Sequence, residues 1–534
     1  MRQSDEQTVG RAVRAVGIAA FLAVAASVRP LFAQCPDGTP PPCASRVSRA
    51  AAPSSLNSVA VLYFENLSRD TTDAYLADGL TEDVTAKLGQ VARLAVTSRA
   101  AVRRLRDAST TPTAQLGRTL NAVYLVSGSV QRSGARLRVT TELVRAATGA
   151  RVWGDQYDRP ATDLLAIQGE IATAVASGIA GRLLPAERAT LTSRPTHDPA
   201  AYDHYLRGNH MLREVNQLLL PGAIAEYDAA LRLDPTFTAA RARIGAAYAW
   251  ALNWNWSTPD IPPETLLARA VAATDRALLE DSLSSEAWMA RGFVQQFRRP
   301  LTFEGGPEAG RRAITLDPEN ADAHHLFGSL MRRLGNFAVG ETELRRSLEL
   351  DPRFTQSAAD LGFIALERRR YAEAARWYDS AMTLDPATWN NQMWRSRVRI
   401  EVGDSAGALR DARETARLAT ANARRLAEAI LAQIEARTGD MAAARARLDP
   451  LLAPFVGVDT VNVRVGYELA LALVAVGQQD RALDLLERVR PRGPWLWTYL
   501  LFPGFDPIRP TPRFQRIYRE SRPPGAERVP GVDP

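Results

Sequence analysis

Residues 355–386 read TQSAADLGFIALERRRYAEAARWYDSAMTLDP, two helical stretches on either side of a short basic turn. The small residues Gly362, Ala374 and Ala381 fall where the two helices of a hairpin cross closely, and Leu361, Tyr378 and Met382 fill the space around them. Pro386 then stops the second helix, because proline donates no backbone bond and disfavours helix in the residue before it. The preceding unit repeats the pattern with Gly328, Gly340 and Ser347. Leu-Asp-Pro closes helical segments at Asp234, Asp317, Asp351 and Asp385, the last three 34 residues apart.

A spacing of 34 residues is the tetratricopeptide period, and the region resembles that family. Weaker copies extend it both ways. YLRGNHMLREVNQLLLPGAIAEYDAALRLDP (205–235) is a first hairpin, and WNWSTPDIPP (254–263) interrupts the second, giving 47 residues from Asp234 to Asp281. Gly403-Asp404, Gly439-Asp440 and Gly477-Gln478 mark three later turns. About eight hairpins are expected over 201–490, with 491–534 as a terminal cap over the last apolar face. The resemblance implies a right-handed superhelix in which the first helix of each hairpin lines a concave groove. Carried onto this chain, the inward positions hold His325, Ser329, Arg332, Gln356, Phe363, Met393 and Arg397. The Lys and Asn of the carboxylate-clamp pattern are absent from these positions. Two arginines beside an apolar strip suit an extended protein or peptide partner with acidic and hydrophobic residues.

The N-terminal half reads differently. SVAVLYFENLSRD (58–70) opens with an alternating apolar strand, and 73–91 has helical spacing with Leu76, Leu80, Val84 and Leu88 on one face. LAVTSR (94–99) is a second short strand. Residues 122–159 alternate at period two with Ser-Gly and Thr-Gly turns, a three-strand meander, and 163–184 form an amphipathic helix. SVAVLYFENLSRD, YLADGLTEDV, YLVSGSVQRSGARLRVTTELVRAATGARVW and QYDR resemble the TolB-type N-terminal α/β domain, related to that of the FlgO family. Tyr63 departs from that pattern, which often has proline there. The fold class expected is therefore α+β multidomain: a small α/β domain over 57–185, a polar linker over 186–200, and an all-α repeat superhelix. Asp73, Asp78, Glu82 and Asp83 are read as a helix start and a solvated helix face, since no histidine precedes residue 197 to complete an acid–base site.

Residues 1–33 are read as a signal peptide or N-terminal anchor. Arg2, Arg11 and Arg14 precede GIAAFLAVAASV, a run too short to span a bilayer comfortably, and LFA-Q offers a cleavage site after Ala33. Retained, the segment implies inner-membrane association; removed, a periplasmic chain. The only cysteines, Cys35 and Cys43 in CPDGTPPPC, are expected to close a small disulfide ring in an oxidising compartment, within a Pro/Ser/Ala-rich linker over 34–56.

Length argues for more than one core. Lys87 is the only lysine, so the net charge of +7 rests on arginine. Such one-sidedness reads as coding bias, and no nucleic-acid motif accompanies it, so no nucleic-acid partner is expected. HExxH, GxxxxGK[ST], GxSxG and GxGxxG are all absent, as is a kinase, cyclase or winged-helix module before the α/β domain. His324 and His325 are neighbours on a helix, pointing about 100° apart, and make a poor metal pair. No enzymatic activity, cofactor or metal is expected. The reading is an exported scaffold or assembly factor of the cell envelope. The alternative is an envelope sensor whose α/β domain binds a small ligand or glycan and signals through the helical arm.

Overall fold

The computed structural model describes residues 57–533 apart from 98, 104, 106–110, 214–218, 255–260, 299–302, 353, 387, 420–422 and 491. Residues 1–56, with the apolar N-terminal run, Cys35 and Cys43, lie outside the described residues. Among the described residues no helix is long and apolar enough to cross a membrane.

The α/β head is built on one mixed sheet. Its strands are β1 (Ser58–Val61), β2 (Glu65–Asn66), β3 (Ala95–Val96), β4 (Tyr124–Ser133), β5 (Arg136–Arg145) and β6 (Arg151–Pro160). The order is β3-β1-β4-β5-β6, parallel for β3, β1 and β4 and antiparallel through the meander, with β2 pairing beside β4. Alternation sorts the faces: Leu137, Val139, Thr141 and Leu143 of β5 all point into the core beneath helices Ala74–Gly89 and Leu164–Ala180. Ala60, Leu125 and Ala146 pack on the other face with Val102 and Leu120. The opening strand is shorter than its sequence pattern. It breaks at 62–64, where the Phe64 amide donates to Thr81 Oγ1 at 3.0 Å instead of to a ladder partner, and the ring turns into the core.

From Pro199 onward the chain is helical hairpins. Sixteen described helices pair as eight hairpins, from Pro199–Arg213 with Leu220–Leu233 to Val463–Ala475 with Gln479–Arg488. The Leu-Asp-Pro signal works as its chemistry requires. Asp234, Asp317, Asp351 and Asp385 each leave the helix in an extended conformation, with φ between −141 and −129, before the proline. Small residues sit at the crossings: a Cβ on Gly362 would lie 2.7 Å from the Tyr378 ring, and one on Gly328 3.0 Å from the Gly340 carbonyl oxygen.

Two features depart from a head, a polar linker and an arm. Residues 186–200, read as linker, carry most of the helix Pro185–Thr192, whose Leu191 is fully buried. Lys87 donates to the carbonyls of Leu191 and Ser193 at 3.0 and 2.6 Å, and Arg93 pairs with Glu187 at 2.6 Å, so the segment is fastened to the head. The head and the first repeats then share one apolar cluster, with Leu80, Val84 and Ile171 beside Tyr202, Leu206 and Phe237.

The second departure lies at the C-terminus. Helix Pro512–Ser521 does pack against Gln479–Arg488, as a cap would. The stretch before it runs back along the array. Trp495 donates its indole N–H to the Gln296 carbonyl at 3.2 Å, Trp497 stacks on Phe337, Tyr499 on Tyr467, and Phe502 packs on Trp394. Farther on, Glu527 reaches the backbone of Gly335 and Ala338.

Candidate functional site

The positions expected to line a partner groove are all buried against the chain itself. His325 is wholly inaccessible, stacked 5.3 Å from the Trp250 ring, with Nδ1 3.0 Å from Ser357 Oγ. Burial pulls its imidazole down to about 4, so it is neutral at physiological pH. Ser329, Gln356 and Met393 are likewise buried. Phe363 sits 4.1 Å from the Trp394 ring and stacks on Phe502 of the C-terminal segment. Arg332 donates to Glu367 at 2.6 Å and lies over the Phe363 ring; Arg397 pairs with Glu468 and lies over Trp394. At 3% and 5% exposure these guanidiniums belong to internal ion pairs, not to a solvent-facing strip. The neighbouring His324 turns elsewhere, to Glu343 at 2.6 Å.

Two acidic positions of the head, Asp78 and Asp83, have partners in the first hairpin. Asp78 is 1% exposed and lies 3.3 Å from His210 of the first hairpin. Asp83 accepts from Gln168 at 2.9 Å and from the Tyr202 hydroxyl, and burial pushes its carboxyl up to about 7. Tyr75 donates to Asp203 at 2.6 Å while accepting from Arg132 and Arg207. A helix start in sequence is here the seam between head and array. The signal that could have shown this is the density of partnering groups in AAYDHYLRGNH (200–210), which faces it.

A cavity lies where head and array meet, with about 110 Å³ of room for water-sized occupants. Glu82 and Arg99 reach it from the head; Arg243, Glu286, Glu319, Asp322 and Asp351 come from the second to fourth hairpins, over the rings of Trp250 and Phe354. Arg243 holds Glu286 at 3.1 Å and Asp322 at 3.7 Å, and Arg346 holds Glu319 at 3.1 Å. Five carboxylates and two guanidiniums, Arg99 and Arg243, stand in its lining. Such a site suits a cationic group: carboxylates attract it and the aromatic faces lie where a cation packs. Among the described residues no group of His, Cys, Asp and Glu is arranged to hold a metal ion.

No family model matches the chain. It is 32% identical over 221 residues to a protein of Rhizobium meliloti (strain 1021) named "Putative adenylate cyclase 3", a match covering 41% of this chain and 38% of that protein's length. Among solved structures it resembles PilW, described as a widely conserved type IV pilus biogenesis factor, at 15% identity over 42% of this chain and 96% of that one, TM-score 0.33. It also resembles yeast Tom70, at 12% identity over 67% and 82%, TM-score 0.32. The likeness to a protein named as a cyclase corrects the expectation that this chain has no enzymatic connection. The motifs sought in the sequence did not register it.

Proposed function

We propose that this chain works in a nucleotide-cyclase system as its protein-recognition part, with a basic side chain of the partner seated in the cavity between head and array. The observation that supports the cyclase connection is the 32% identity over 221 residues. The acidic, aromatic-floored cavity supports the choice of a basic side chain. Two measurements test the reading. Purified full-length chain is incubated with Mg-ATP and cyclic AMP is quantified by mass spectrometry, alone and with the cells' soluble and membrane fractions. Cyclic AMP formed or altered by the chain supports the reading; identical yields with and without it in every fraction overturn it. Asp322→Arg should then weaken capture of the partner, because it places a cation where the partner's cation would sit.

A second reading is carried by the apolar run 17–28 and the pair Cys35 and Cys43: an exported protein of the cell envelope that assembles other proteins. Alkaline phosphatase fused after residue 60 discriminates the two. An active fusion places the head outside the cytoplasm, away from ATP, and favours assembly. An inactive fusion leaves the cyclase reading in place.

A further inference from the structure

The acidic cavity already receives a guanidinium from the head. Arg99 stands in its lining with Glu82, facing Glu286, Asp322 and Asp351 of the array. Its place is fixed from both sides. Before it, β3 ends at Val96, and Thr97 donates its amide to the Val59 carbonyl at 2.8 Å and its hydroxyl to the Leu120 carbonyl at 3.2 Å. After it, Val102 is buried against Ala60, Leu120 and Leu125 on the second face of the sheet. The short helix Arg99–Arg103 also packs against Phe337–Leu350 of the fourth hairpin. That contact is separate from the seam, where Ala74–Gly89 meets Pro199–Arg213. Burial works against the Arg99 charge, but Glu82, Asp317 and Glu286 favour it enough to hold the guanidinium above its ordinary value. The array's own guanidinium, Arg243, is held by Glu286 and Asp322. Arg99 instead reaches these carboxylates from another folded unit.

We infer that Arg99 is a built-in competitor at this site: it stands in for the partner's basic side chain, which is an arginine and enters as Arg99 leaves. The inference rests on the proposed reading of the cavity as a seat for a cation. A guanidinium suits the lining, because its planar fork spans two carboxylates while its face packs on a ring such as Trp250 or Phe354. The exchange trades a contact between head and array for one with the partner. Occupancy of the cavity and closure of the head onto the fourth hairpin therefore oppose one another.

The test uses the full chain and propylguanidinium as probe, titrated by calorimetry at fixed pH and ionic strength. Arg99→Gln should bind it about tenfold more tightly than wild type, the gain expected if Arg99 fills the seat roughly nine-tenths of the time. A merely structural Arg99 would give no such gain. Equal or weaker affinity in the variant overturns the inference and leaves the reading of the cavity standing. No binding to either protein overturns both. Propylammonium should bind Arg99→Gln more weakly than propylguanidinium does, and equal binding overturns the assignment to arginine. Should the variant fail to fold, amide exchange in wild type decides. Saturating propylguanidinium should speed exchange in Arg99–Arg103 and leave Ala74–Gly89 unchanged; no change in either helix, or a rise in both, overturns the inference.

Discussion

The two ends of the helical array treat their inner positions in opposite ways. At the head end, hairpins up to residue 354 leave a cavity edged by carboxylates and open enough to admit a side chain. On the side that the C-terminal segment covers, the inner positions are closed over by Trp495, Trp497, Tyr499 and Phe502, and Arg332 and Arg397 are paired inside the protein with Glu367 and Glu468. The repeat is one and the same; what differs is which other piece of chain lies on it. A repeat pattern therefore fixes where helices cross and leaves open which faces remain free.

The sharpest way to break this contrast is to remove its cause. A chain ending at residue 490 loses seven buried aromatics, and its hairpins beyond 320 should lose cooperative melting and gain rapid amide exchange, while the head keeps its protection. Uniform exchange along the truncated chain would show that the C-terminal segment is only an accessory. Trp497→Ala tests one anchor: the indole packs closely on Gly335 and Phe337, and its loss should cost about 3–5 kcal/mol in urea unfolding. Arg332→Gln leaves Glu367 buried without its cation and should cost about 3 kcal/mol. At the open end Glu286→Gln, only partly buried, should stay within about 0.5 kcal/mol of wild type. Similar losses at the two ends would erase the distinction.

The smallest effect is a slope. Asp83 titrates near 7 in the folded chain against an ordinary 3.8, because burial disfavours its charge. Between those values the folded chain holds a proton that the unfolded chain has released, so stability falls as pH rises through the window. Asp83→Asn should flatten that part of the stability–pH profile. A profile with the wild-type slope would mean that the seam between head and array is wetter than its geometry indicates.

Much of this was legible in the residues. Leu-Asp-Pro and the small residues at 328, 340 and 362 act locally, within one hairpin, and local rules read them correctly. The meander was legible because period-two alternation is likewise local. Arg332 and Phe363 were not, because their surroundings are set by Glu367 and by Phe502, more than 130 residues beyond Phe363. Inwardness within a repeat is a statement about helix phase, and it does not distinguish solvent from a returning chain. Asp78 and Asp83 failed for the same reason: their partners His210 and Tyr202 belong to what looked like another domain.

The returning segment also acts as a ruler. Trp495 meets Gln296, Trp497 meets Gly335 and Phe502 meets Trp394, a fixed ladder of stations along neighbouring hairpins. An ordinary repeat array can gain or lose a unit with little harm, since each touches only its neighbours. Here one extra hairpin between residues 300 and 460 would shift every later station by a full unit relative to the segment. The aromatic side chains would then meet the wrong floor. The number of repeats in this stretch is thus set by the spacing of these three rings near the end of the chain.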